Sequence, residues 1–76
     1  MINELDRVVL ASELPEHGLQ VGDIGTVVLV HDQGKGYEVE FVSLDGETVA
    51  VVSLLANQVR TIRRREVPHA RLLAAP

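Results

Sequence analysis

Cysteine and tryptophan are both absent from this chain of 76 residues. Without thiols the chain forms no disulfide, binds no metal through thiolates and has no cysteine nucleophile. Tyr37 and Phe41 are the only aromatic residues. Grooves that bind proline-rich peptides or single-stranded nucleic acid are lined with aromatic side chains. The composition therefore disfavours both kinds of groove.

Long apolar runs are missing as well. No run approaches the roughly 18 apolar residues of a transmembrane helix, and the N-terminus lacks the basic segment and apolar stretch of a secretory leader. We therefore expect a cytoplasmic protein with no membrane partner. The content of 46% hydrophobic and 24% charged residues is typical of a folded domain, and the length allows one small domain.

The charge is divided unevenly along the chain. Residues 1–59 carry ten acidic and two basic side chains, a net charge of −8, whereas residues 60–76 carry five arginines and one glutamate, a net charge of +4. A basic tail on an acidic body can contact an acidic partner or a nucleic acid. It can equally be a solvated segment that partly neutralises its own body.

Short segments of β-strand character alternate with turn-forming residues. The clearest alternation places Tyr37, Val39 and Phe41 on one face and Glu38 and Glu40 on the other, the period of a half-buried antiparallel strand. In chain order, the five predicted strands cover residues 7–11, 24–31, 37–43, 48–54 and 59–62.

The connections between these segments predict the fold. Residues 12–23 form a long polar loop, Asp45-Gly46 is a strong hairpin signal, and residues 56–58 form one tight turn, for which a 3₁₀ helix is one form. This order predicts an all-β fold, a small five-stranded SH3-like barrel over residues 1–62. An oligonucleotide-binding barrel is the alternative, although it usually needs longer strands and a helix.

The basic tail, residues 63–76, differs from the predicted barrel. Val67-Pro68 interrupts any strand there, since proline lacks the N–H group of a β-ladder. The helix-forming residues that follow are too few for a stable isolated helix. The tail is either frayed or folds on a surface, and we favour partial disorder.

Three motifs carry a family resemblance: Leu-Pro-Glu-His-Gly-Leu at 14–19, Gly-Asp-Ile-Gly-Thr-Val-Val at 22–28 and Tyr-Glu-Val-Glu-Phe-Val at 37–42. Over roughly residues 3–62 the chain resembles a family of small bacterial proteins known as a domain of unknown function. The resemblance implies an SH3-like fold. It also implies genes that neighbour toxin-like genes, and hence an antitoxin-like or immunity-like role. It supplies no catalytic residues.

Candidate catalytic and metal-binding residues are few. Glu38 and Glu40 are paired carboxylates of the kind that inverting glycosidases use, but the alternation places them on a solvated face. His17, His31 and His69 match no spacing of metal ligands. We therefore predict no enzyme activity, no cofactor and no metal site.

A protein-binding surface fits the pattern better, because the second and fourth strands are apolar on both faces. A barrel this small has one interior, so loops, the tail or another chain must cover some of these side chains. The predicted contacts are Val52 and the acidic rim, formed by Glu38, Glu40, Asp45 and Glu47. The expected partner is another protein, such as a toxin-like protein, or a second copy of the chain.

The alternative function is binding to nucleic acid. Arg63, Arg64 and Arg65, with Arg60 nearby, form a local cluster that could contact phosphates. The acidic body and the scarcity of aromatic residues oppose this hypothesis. We therefore expect a protein partner in preference to nucleic acid.

Overall fold

The computed structural model describes residues 1–73 and shows an all-β chain with two short 3₁₀ turns, at Pro15–His17 and Ala56–Gln58. The strands are β1 (Arg7–Leu10), β2 (Ile24–His31), β3 (Gly36–Val42), β4 (Thr48–Leu55) and β5 (Val59–Thr61). Each strand boundary lies within one residue of its predicted position. The all-β prediction is confirmed.

The five strands form one antiparallel sheet in the order β4-β3-β2-β1-β5. β1 pairs with β2 on one side and with β5 on the other, so the chain returns to its first strand after the turn at Ala56–Gln58. A long loop joins β1 to β2. These connections are those of the predicted SH3-like barrel, and the ring is open between β4 and β5.

The core lies on the face of β3 that the sequence predicted. Tyr37, Val39 and Phe41 are all buried, and both aromatic residues are therefore part of the core. The other members of the main buried cluster come from the other four strands and from the β1–β2 loop: Val8, Leu10, Leu14, Leu19, Val27, Leu54 and Val59.

Two glycines are required by the architecture, one at a tight packing contact and one in a tight turn. Gly25 on β2 faces the core, and a Cβ atom there would lie 2.5 Å from Cγ1 of Val39. Gly46 follows Asp45 in the β3–β4 hairpin with a φ of +93°, a conformation that side chains disfavour. The hairpin predicted from Asp45-Gly46 is confirmed.

The register of β3 and β4 shows which side of β4 faces inward. Val39 lies opposite Val52, Tyr37 opposite Leu54 and Phe41 opposite Ala50, so Ala50, Val52 and Leu54 of β4 share the side of the core. Val52 is partly buried and packs against the core cluster. The prediction that Val52 lies on an exposed apolar face is therefore wrong, and the large exposed apolar residues of this strand are Val51 and Leu55.

The extension after β5 has neither helix nor strand over residues 62–73. It is held by two ion pairs, Glu66 with Arg60 of β5 and Arg71 with Asp23 of the β1–β2 loop. Residues 74–76 of the predicted tail lie outside the described residues.

Within residues 1–73, no helix has the length and apolar character needed to cross a membrane.

Candidate functional site

The sheet has an exposed side, opposite the core, that combines apolar and acidic side chains. Cross-strand neighbours on this side are Leu29 with Glu38, Glu38 with Ser53, and Glu40 with Val51. We call this surface the outer face and define it by seven residues: Leu29, Glu38, Glu40, Val42, Val51, Ser53 and Leu55.

Four aliphatic side chains of the outer face are open to solvent. The exposed fractions are 44% for Leu29, 46% for Val42, 53% for Val51 and 64% for Leu55. They come from three adjacent strands, whose spacing of about 4.8 Å keeps neighbouring side chains in reach of one another. The outer face therefore offers apolar area from several strands to a single partner.

Glu38 is held in place by its neighbours on both adjacent strands. The Ser53 hydroxyl donates a hydrogen bond to Glu38 Oε2, and Nε2 of His31 lies 2.8 Å from the same oxygen. The hydrogen bonds from Ser53 and His31 lower the pKa of Glu38, against the opposing effect of burial. Glu38 is therefore a fixed negative charge at neutral pH.

The cluster of His31, Glu38 and Ser53 contains the residue types of a hydrolytic triad in a different order. In such a triad the histidine is the base that hydrogen-bonds the serine hydroxyl. Here the Ser53 hydroxyl donates to the carboxylate, which lies between the serine and the histidine. A carboxylate with a lowered pKa is a weak base, so this arrangement positions a charge and does not activate a nucleophile.

The rest of the predicted acidic rim lies at the N-terminal end of β4. Glu40 Oε2 accepts a hydrogen bond of 2.9 Å from the Thr48 hydroxyl. Asp45 accepts a hydrogen bond from the Ser43 hydroxyl within the hairpin, where Glu47 is also exposed. The four predicted acidic residues therefore lie on β3 and the β3–β4 turn, beside the aliphatic residues of the outer face.

The arginine cluster and the outer face lie on different elements of the chain. Arg63, Arg64 and Arg65 are exposed in the extension beyond β5, whereas the outer face lies on β2, β3 and β4. Within residues 1–73 the side chains of these three arginines form no ion pair, while Arg60 and Arg71 each do.

A groove lies between the barrel and the extension. It has a volume of about 630 Å³ and is lined by Leu19, Ile24, Phe41 and Val49 of the barrel and by residues 68–73 of the extension. The sequence gives no sign of this groove, because its walls come from segments far apart in the chain and carry no local motif.

In the part of the chain that the structure describes, no group of three histidine, aspartate or glutamate residues could hold a metal ion.

Comparison with known families gives a match that covers the barrel. The family model described as a domain of unknown function, DUF4926, matches residues 4–61, which span all five strands. The chain belongs to this family. No curated protein and no solved structure matches the chain.

Proposed function

We propose that this member of the DUF4926 family is a non-enzymatic protein-binding module of the bacterial cytoplasm that neutralises a toxin-like protein encoded nearby. The outer face carries the proposal, because it presents four exposed aliphatic residues beside carboxylates that hydrogen bonds hold in place. Exposed apolar area of this kind on a small domain is a feature of docking surfaces.

The charge of the outer face favours a basic partner. Glu38 and Glu40 accept hydrogen bonds from neighbouring side chains, so their carboxylates are positioned before a partner arrives. Complementary charge speeds association and excludes partners of the wrong sign. The aliphatic residues between the carboxylates would supply most of the buried apolar area.

The proposed mechanism is occlusion. A module that covers the working surface of a toxin-like protein needs a rigid face and no chemistry of its own. β3 provides such a face, since its opposite side is anchored in the core by Tyr37, Val39 and Phe41. The extension would add contacts by refolding onto the partner, at the entropic cost of ordering it.

The exposed arginines favour one alternative, binding to nucleic acid. Arg63, Arg64 and Arg65 are free of ion pairs within the described residues and could neutralise phosphates. This function would be strongly salt-dependent and would not involve the outer face.

Affinity capture with paired variants distinguishes the two functions. The intact protein is used to capture proteins from a native lysate treated with nuclease, in parallel with Leu29→Asp, Glu40→Lys and the triple variant Arg63→Glu, Arg64→Glu, Arg65→Glu. We expect one stoichiometric protein that survives nuclease, is lost with Leu29→Asp and Glu40→Lys, and is retained by the triple variant.

Two results would contradict the proposal. Captured material that disappears with nuclease and with the triple variant would favour the nucleic-acid function. A protein that binds equally well to Leu29→Asp and to the wild type would show that the outer face is not the docking surface. Thermal unfolding of each variant verifies that the barrel is intact.

A further inference from the structure

We propose that two copies of this chain associate through the free edges of their β4 strands, antiparallel and about a two-fold axis at Val52, so that the two sheets become one. This contact uses the edge of the sheet and leaves the outer face open. It is therefore independent of the partner proposed above.

The outer edge of β4 is built as a surface for strand pairing. β4 is the end strand of the sheet, is eight residues long and pairs only with β3 within residues 1–73. Its sequence, Thr-Val-Ala-Val-Val-Ser-Leu-Leu, contains no charge, proline or glycine. Free edges that do not pair are usually protected by a lysine, a proline, a bulge or short length. Over its central residues β4 has none of these.

The ladder with β3 identifies the backbone groups at this edge. The Ala56 N–H donates to the Lys35 carbonyl at 3.0 Å, while Leu55 is the Cα partner of Gly36. Hydrogen-bonded and non-hydrogen-bonded pairs alternate along an antiparallel ladder, so Leu54 and Val52 exchange hydrogen bonds with β3. The N–H and C=O groups of Val51 and Ser53 therefore point to the free edge.

At both ends of the β4 edge the backbone groups are already bonded or are displaced by a bulge, which limits the possible registers of a second strand. At the C-terminal end, the Leu55 N–H donates to Gln58 Oε1 at 2.8 Å. At the N-terminal end, the register with β3 shifts between Phe41 and Val42, and this bulges β4 at Val49. The pairing groups that remain are those of Val51 and Ser53.

One antiparallel register satisfies all of these groups. Val51 of one copy lies opposite Ser53 of the second copy, and the two-fold axis repeats the pair, which gives both residues of each copy their N–H and C=O partners. Val52 then faces its own counterpart as a non-hydrogen-bonded pair. The contact uses the same patch on both copies, as a two-fold interface requires.

The acidic side chains of the two copies are far enough apart to permit this contact. Glu38 and Glu40 lie on β3, so three strand spacings separate them from the same residues of the second copy. At about 4.8 Å per spacing this is about 14 Å, beyond the Debye length of about 8 Å at physiological ionic strength. Antiparallel pairing also brings the Glu47 end of one β4 towards the Lys35 end of the other.

The other edge strand, β5, is a poorer partner for the free edge of β4 than the β4 strand of a second copy. β5 has only three residues and includes Arg60, whose side chain is already paired with Glu66. An association of β4 with β5 would also be head-to-tail and would produce rings or chains larger than a dimer. The mass of the assembly therefore distinguishes the two arrangements.

Cysteine cross-linking tests the register directly, because the natural chain has no cysteine. In the proposed dimer, the Cα atoms of the two Val52 residues are about 4.5 Å apart, within the range of about 4.4 to 6.8 Å that a disulfide spans. Val42→Cys is the matched control, since Val42 is an exposed valine on β3 and away from the edge. With the intact chain under mild oxidation, we expect Val52→Cys to form disulfide dimers at least about tenfold faster than Val42→Cys, as preassociation raises the effective concentration.

Sedimentation of the cysteine-free protein provides the second measurement. We expect the mass to rise from one copy towards two with concentration, because a short edge contact buries little area. Val51→Pro removes an N–H at the free edge and spares the ladder with β3, so it should abolish the rise while leaving the thermal midpoint nearly unchanged. A monomer at every concentration, an assembly larger than a dimer, or equal cross-linking of the two cysteine variants would overturn the proposal.

Discussion

Arg71 of the C-terminal extension forms an ion pair with Asp23 of the β1–β2 loop, 48 positions earlier in the chain. Arg71 Nε donates to Asp23 Oδ1 at 2.9 Å, Nη2 donates to Asp23 Oδ2, and Nη2 also donates to the Gly18 carbonyl at 3.0 Å. Asp23 Oδ2 in turn accepts the Gln20 N–H at 2.8 Å. One guanidinium therefore attaches the extension to the β1–β2 loop.

Replacing Arg71 should release the extension without unfolding the barrel. Arg71→Gln loses the charge and the two-pronged geometry, so we expect faster amide exchange at residues 69–73 and a loss of about 1 kcal/mol in the free energy of unfolding. Hydrogen exchange with mass spectrometry measures the first effect, and chemical denaturation the second. Arg64→Gln, at an exposed arginine that forms no ion pair within residues 1–73, is the control and should change neither.

The same ion pair should make the attachment of the extension sensitive to acid. Burial raises the pKa of Asp23, but the hydrogen bonds from Arg71 and from the Gln20 N–H, with the charge of Arg71, bring it below the ordinary value of 3.8. A lowered pKa in the folded state means that the contribution to stability is complete above the unfolded value and is lost as the pH falls through the folded value.

We therefore expect the wild type to be more stable than Asp23→Asn at neutral pH, and the difference to shrink below pH 3.8. Thermal unfolding of both proteins across this range measures it. A difference that stays constant with pH would mean that the charge of Asp23 does not stabilise the fold.

Gly25 should be the least replaceable glycine of the barrel. In Gly25→Ala the new Cβ would lie 2.5 Å from Val39 Cγ1 and 3.0 Å from the Glu40 carbonyl oxygen, and overpacking of this kind costs about 1–3 kcal/mol. Gly18→Asn is the control, because Gly18 has a φ of +69° and open space around its Cα, and asparagine tolerates that conformation. Equal unfolding free energies for the two variants would refute the expected clash.

Substitution by aspartate should destabilise the barrel at Val52 but not at the adjacent Val51. Val52→Asp places a carboxylate against the core and should cost at least about 2 kcal/mol. Val51→Asp places it on the outer face, where the side chain is 53% exposed, and should leave the barrel folded. Urea denaturation of both variants tests which side of β4 faces inward, and Val39→Asp, at a fully buried position, is the positive control for unfolding.

The sequence was sufficient to predict the strands and their connections. Alternation identified Tyr37, Val39 and Phe41 as inward-facing, and Asp45-Gly46 located the hairpin, because both signals depend on residues next to each other in the chain. The long β1–β2 loop and the tight turn before β5 then specified the SH3-like order. The acidic side of β3 was predicted in the same way, since Glu38 and Glu40 follow the same period.

Tertiary structure decided the features that depend on distant residues. β4 is apolar on both sides, so alternation gives no direction there. The register of β4 with β3 shows that Val52 faces inward and Val51 faces outward. No local pattern links Arg71 to Asp23, or Glu38 to both His31 and Ser53, because these contacts form only when separate strands and loops are brought together. Sequence determines a strand's own period, but only the neighbouring strand determines which side of a uniformly apolar strand is buried.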